Sequence, residues 1–173
     1  GIFKPKYSSQ TELVFMQDTL SSSLLNLVDF KVENNPAEAY ASPGKKQAKI
    51  MDFYLKTKDS DLNIGAIKLK ANGVVEGEIQ NAYIYLNDQL ISTARIDGEY
   101  LNFSDFNYLL TANNEVRLTF KVDLSDSVKI GTRIRLDLEN TDDLILKLNE
   151  ENFSLQSDFP IRGKYLSISR SRF

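Results

Sequence analysis

The stretch Glu115–Leu124, EVRLTFKVDL, alternates without a break. Val116, Leu118, Phe120, Val122 and Leu124 fall on one side, and charged or hydroxyl residues on the other. An extended chain turns successive side chains to opposite faces, so a period of two marks a strand with one wet face and one dry face. Ala48–Ala71 carries the same signature twice, in Lys49–Thr57 and Ile64–Ala71, around the turn-rich KDSDLN. In the first segment Met51, Phe53 and Leu55 oppose Asp52, Tyr54 and Lys56. In the second, Ile67 and Leu69 take the core side. This pair reads as the first ply of a β-sandwich.

The rhythm continues on both sides. Leu27–Asn34 alternates through Val28, Phe30 and Val32. Ala82–Asn87 turns through Asn87-Asp88-Gln89 into Leu90–Ile96 as a hairpin. Tyr100–Phe103, Thr132–Leu138, Leu144–Leu148 and Lys164–Ser169 supply further strands, and no helix-length amphipathic segment follows residue 30. Roughly nine or ten short strands at about ten-residue spacing, with turn signals between them, specify an all-β antiparallel sandwich. The expected core is Met51, Phe53, Ile67, Leu69, Ile84, Leu86, Leu118, Phe120, Ile134 and Leu136, packed between two sheets.

Composition narrows the chemistry. The 173 residues include no cysteine, histidine or tryptophan. Disulfides, thiol nucleophiles, and Ser-His-Asp or Cys-His machinery are therefore excluded within this chain, and the expectation is a protein that is not an enzyme. Net charge is −3 with basic and acidic residues interleaved, a pattern that argues against nucleic acid as a partner. No apolar run approaches the roughly 20 residues of a membrane span. GIFKPKYSSQ lacks the features of a signal peptide, so export would follow removal of one.

Residues 1–23 read as an N-terminal arm, with TELVFMQD at its centre. Leu13, Met16, Leu20, Leu24 and Leu27 fit helical spacing, whereas Val14–Phe15 and the serines at 21–23 favour an extended chain. Strand or helix stays open over residues 11–28. As a strand, residues 11–18 with Leu13, Val14, Phe15 and Met16 form a candidate polymerisation arm. It would fold back on its own sandwich or add to the open edge of the next subunit. Asp59, Asp61 and Asn63 alternate in the manner of oxygen ligands for calcium, although Gly65 sits one residue late for an EF-hand and the closing glutamate is missing. A polar turn whose side chains bond backbone amides is the competing reading. The acidic run Glu139–Asp143 has the same two readings, and Glu150-Glu151 reads as a solvated loop. Tyr83 and Tyr85, opposite Ile84, form either a ligand surface or cross-strand pairs.

Taken in order, ASPGKKQAKIMDFYLKTKDSDLNIGAIKLK, EIQNAYIYLNDQLIST, YLNFSDFNYLLTANNEVRLTFKVDLSDSVKIGTRIRLDL and RGKYLSI resemble an Ig-like β-sandwich module. Such modules occur in bacterial and archaeal cell-surface, S-layer-like and filament proteins. The match in apolar rhythm and turn placement covers roughly residues 24–169. The resemblance implies an Ig-like domain over residues 24–173, an extracellular or cell-surface location and no catalytic residues. No cofactor is expected beyond the calcium considered above. The leading functional expectation is a structural subunit of a filament, sheath or surface layer, a homo-oligomer or polymer assembled by the arm. The alternative is an adhesin-type binding module of a larger surface protein, recognising glycan or protein.

Overall fold

The computed structural model describes residues 28–33, 40–104, 106–153, 155 and 157–170. They form two β-sheets in a sandwich-like arrangement. The first sheet is five-stranded and antiparallel. It runs β1 (Val28–Glu33), β3 (Ala48–Thr57), β10 (Glu115–Leu124), β5 (Ile79–Leu86) and β6 (Gln89–Ala94). The second is ten-stranded, with the path β13 (Glu151–Phe153), β12 (Leu144–Leu148), β4 (Leu62–Asn72), β11 (Arg133–Leu138), β15 (Leu166–Ile168) and β2 (Tyr40–Ala41). β8 (Tyr100–Phe103) and β9 (Tyr108–Leu110) pair with the other side of β4. β7 (Ile96–Asp97) pairs with β8, and β14 (Ile161–Arg162) with β11. Among the described residues no helix is long and apolar enough to cross a membrane.

The core lies between the sheets, and all ten residues expected there are buried. Phe120 of the first sheet meets Phe103 of the second edge to face, with centroids 5.7 Å apart and planes at 64°. That arrangement suits the ring quadrupoles as well as the packing.

Among the described residues fifteen strands replace the expected nine or ten. The additions are pieces such as β2, β7, β13 and β14, each only two or three residues long. A piece that short has no alternation to read, and only its partner makes it a strand. Glu150-Glu151 is a case in point: Asn149 and Glu150, both at positive φ, form a two-residue turn that pairs β12 with β13. The first-ply reading is also corrected. β3 and β4 belong to different sheets, so the segment between them crosses the sandwich.

β5 and β6 do form the expected hairpin. Its loop is Asn87-Asp88, with φ of 45° and 72°, the left-handed pair that matches strand twist. Bulges refine the alternation elsewhere. Met51 pairs with Phe120 and Lys49 with Lys121, which leaves Ile50 unpaired, so Ile50 and Met51 are both buried.

Candidate functional site

The arm residues Leu13, Val14, Phe15 and Met16 lie outside the described residues. Of the calcium candidates, Asp59 is exposed at φ 57° and Asp61 Oδ1 accepts the Ala112 N–H at 2.8 Å. Asn63 already sits in β4, paired with Leu109 and Lys147. The loop thus pins the start of β4 to the turn after β9. Farther on, Asp143 Oδ2 accepts the Asn140 N–H at 3.1 Å across a short 3-10 turn, Thr141–Asp143. Among the described residues no group of three or more acidic side chains is placed to hold a metal ion.

Tyr83 and Tyr85 project from the outer face of the first sheet, where their hydroxyls are occupied. Tyr83 donates to Asp123 Oδ2 at 2.5 Å, and Tyr85 to Gln47 Oε1 at 2.5 Å. Asp123 also accepts from Asn81 Nδ2 at 3.2 Å and from the Gln47 N–H at 2.9 Å. Burial pushes the Asp123 carboxyl up, but these three donors and the nearby Lys46 outweigh it and leave it below its ordinary value. The same bond to Asp123, with burial, holds the Tyr83 phenol above its ordinary value. Lys121 Nζ lies 4.4 Å from the Tyr85 ring centre. These contacts lock β3, β10 and β5 side by side, which is the cross-strand role expected of such tyrosines.

A different surface presents exposed tyrosines beside positive charge. Arg133 pairs with Ser167, and Ser167 with Tyr40, so these residues form one row across β11, β15 and β2. Their strand neighbours Ile134, Leu166, Ile168 and Ala41 are buried, which turns the row to the outer face. Tyr40 is 59% exposed and Tyr165, at the foot of β15, 37%. The Tyr165 ring is flanked by two guanidiniums, Arg133 at 4.1 Å and Arg135 at 4.9 Å from its centre. Arg135 Nη1 also donates to the Tyr165 hydroxyl at 3.3 Å.

The two arginines differ in what they have left to offer. Arg135 forks onto the buried Asp137 through Nε and Nη2, each at 2.8 Å. Asp137 further accepts Asn72 Nδ2 at 2.8 Å and the Gly163 N–H at 3.2 Å. The bond to Asp137 holds Arg135 above its ordinary value despite burial. Arg135 is thus a braced support for Tyr165, while Arg133 is exposed and, among the described residues, forms no ion pair. Gly73 makes the site compact: at φ +85° a Cβ there would stand 1.9 Å from the Arg133 carbonyl oxygen.

Sequence reasoning missed this surface. Alternation in TRIRLDL does put Arg133 and Arg135 on the wet face, which is the signal that was present. Nothing local says that Tyr165 and Tyr40 come to lie beside them.

No family model matches the chain, and no curated protein matches it. Among solved structures the chain is similar to a family 123 glycoside hydrolase from Clostridium perfringens, described for glycolipid glycan hydrolysis. The TM-score is 0.42 at 7% identity, over 82% of this chain and 27% of that one. The chain thus matches only about a quarter of that enzyme's length. A likeness of this degree brings neither identity nor activity with it.

Proposed function

We propose that this chain is a non-enzymatic, Ig-like binding module of a larger cell-surface protein, and that it recognises glycan or protein through the β2–β15–β11 face. The observation that carries the reading is the exposed Tyr40–Arg133–Tyr165 surface on a braced sheet. Exposed rings at a fixed position bind at low entropic cost, and Arg and Tyr are the residues that dominate recognition surfaces. The buried carboxylates support a role without catalysis, since each is spent on structure. Asp52 holds Thr119 and Lys49, Asp123 and Asp137 hold their networks, and Glu78 accepts the Val75 N–H.

The test is a glycan and protein array probed with the wild-type chain and with Tyr165→Ala. Retention that falls about tenfold in the variant is the expected result. Retention indifferent to both Tyr165→Ala and Tyr40→Ala would move the binding surface elsewhere. Negative-stain microscopy of the same preparation tests the rival assembly reading: monodisperse particles accord with a module, and ordered polymers with strand addition by residues 11–18.

A further inference from the structure

We infer that the ligand of this face is an anionic polysaccharide with sparse carboxylates, one carboxylate seated on Arg133 beside Tyr165 and a neighbouring sugar ring on Tyr40. The inference rests on the binding-module reading above and names the chemistry of its ligand.

Three observations lead to it. The first is the state of Arg133. The residue is exposed, and its guanidinium lies 4.1 Å from the Tyr165 ring centre and forms no ion pair among the described residues. A stacked guanidinium keeps its fork of donors available for a carboxylate and gives up little freedom on binding. The second is spacing. Tyr40, Ser167 and Arg133 are register partners on adjacent strands, so the row spans two strand spacings, roughly 10 Å. A two-sugar stretch covers that distance, with an acidic sugar at Arg133 and Tyr165 and its neutral neighbour at Tyr40. Ser167, half-buried between them, offers a hydroxyl to the sugar edge.

The third is the charge around the row, which argues against a dense polyanion. Arg135 is neutralised by Asp137, and Lys70 on β4 lies between Glu99 at 3.8 Å and Glu139 at 3.7 Å. The chain as a whole carries −3. A nucleic acid needs several phosphates met by unpaired cations along a track. Within the Tyr40–Ser167–Arg133 row Arg133 is the one cation, which fits a polymer whose charges are separated by neutral sugars.

The experiment uses the full chain in affinity gels and calorimetry with three probes: hyaluronate, its methyl ester, and single-stranded DNA. Expected are retention by hyaluronate that weakens with salt, about tenfold less retention by the methyl ester, and a similar loss in Arg133→Gln. Arg133→Gln should melt with the wild type, because the side chain is exposed, and Lys121→Gln on the opposite sheet should bind as the wild type does. Equal retention by hyaluronate and its ester, unmoved by Arg133→Gln, overturns the acidic ligand and leaves the binding module standing. DNA retained as tightly as hyaluronate overturns the sparse-charge argument. No retention by either polysaccharide overturns the inference as well, and the protein arm of the array then decides whether the module reading survives.

Discussion

Phe120 is 1% exposed and its ring abuts Phe103 across the sandwich. Phe120→Ala should cost roughly 3–5 kcal/mol, since truncation leaves a cavity as well as losing buried area. In a domain of this size that lowers the melting temperature by roughly 6–20 °C. Asp137 carries a different liability. Asp137→Ala would strand the half-buried Arg135 guanidinium without its partner, at a cost of about 3 kcal/mol, the low end for a broken buried pair because Arg135 is partly solvated. Denaturant titration measures both. Asp123 sets a pH dependence. Its carboxyl is held below its ordinary value of 3.8 in the folded state, so its contribution is complete above the unfolded value and drains as pH falls through the folded one. Asp123→Asn should therefore be less stable at neutral pH and show a flatter loss of stability below about pH 4. Parallel acid melts that coincide for the two proteins would remove Asp123 from the account. At this scale the outcome was half legible: the core side of Phe120 follows from alternation, whereas burial of Asp123 and Asp137 on an outer face depends on donors from distant strands.

Among the elements, β4 has the largest structural burden, pairing with β12 and β11 on one side and with β9 and β8 on the other. Its C-terminal exit passes against β11 at Gly73, where any side chain meets the Arg133 carbonyl. Gly73→Ala combines that clash with a left-handed backbone worth about 1–2 kcal/mol on its own. The expected result is a destabilised protein whose retention by the array also falls, since Arg133 is displaced. β6 is a weaker point of another kind. Among the described residues it pairs only with β5; it has no charged residue and leaves Leu90 47% exposed. An uncharged edge strand invites pairing with other chains. Leu90→Lys should leave stability within about 0.5 kcal/mol and reduce association at high concentration, as light scattering would show. Of these features, the β5–β6 hairpin was legible from Asn87-Asp88. The β12–β13 hairpin was not, because Glu150 is an uncommon residue at positive φ.

For the whole molecule, the two sheets differ in what they present to solvent. The first sheet's outer face ties Tyr83 and Tyr85 into hydrogen bonds across its strands, and the second exposes Tyr40 and Tyr165 beside Arg133. Binding is accordingly expected on one side of the sandwich only. Methylation of surface tyrosine environments followed by NMR should show ligand-dependent shifts at Tyr40 and Tyr165 and none at Tyr83 or Tyr85. Shifts at all four would indicate a global change instead.

The sequence by itself determined the all-β class, the location of the longer strands and which side of each faces inward. Ile84, Leu118, Phe120, Ile134 and Leu136 were assignable because alternation is written in consecutive residues and needs no partner to be read. Tertiary structure decided which sheet each strand joins, so that β3 and β4 face each other across the core when their proximity in the chain suggested one layer. It also created strands such as β2, two residues long and parallel to β15, that exist only through pairing. The proposed binding surface belongs to this second kind. Tyr40, Arg133 and Tyr165 are far apart along the chain, and register across three strands, a long-range property that no local pattern encodes, is what brings them together.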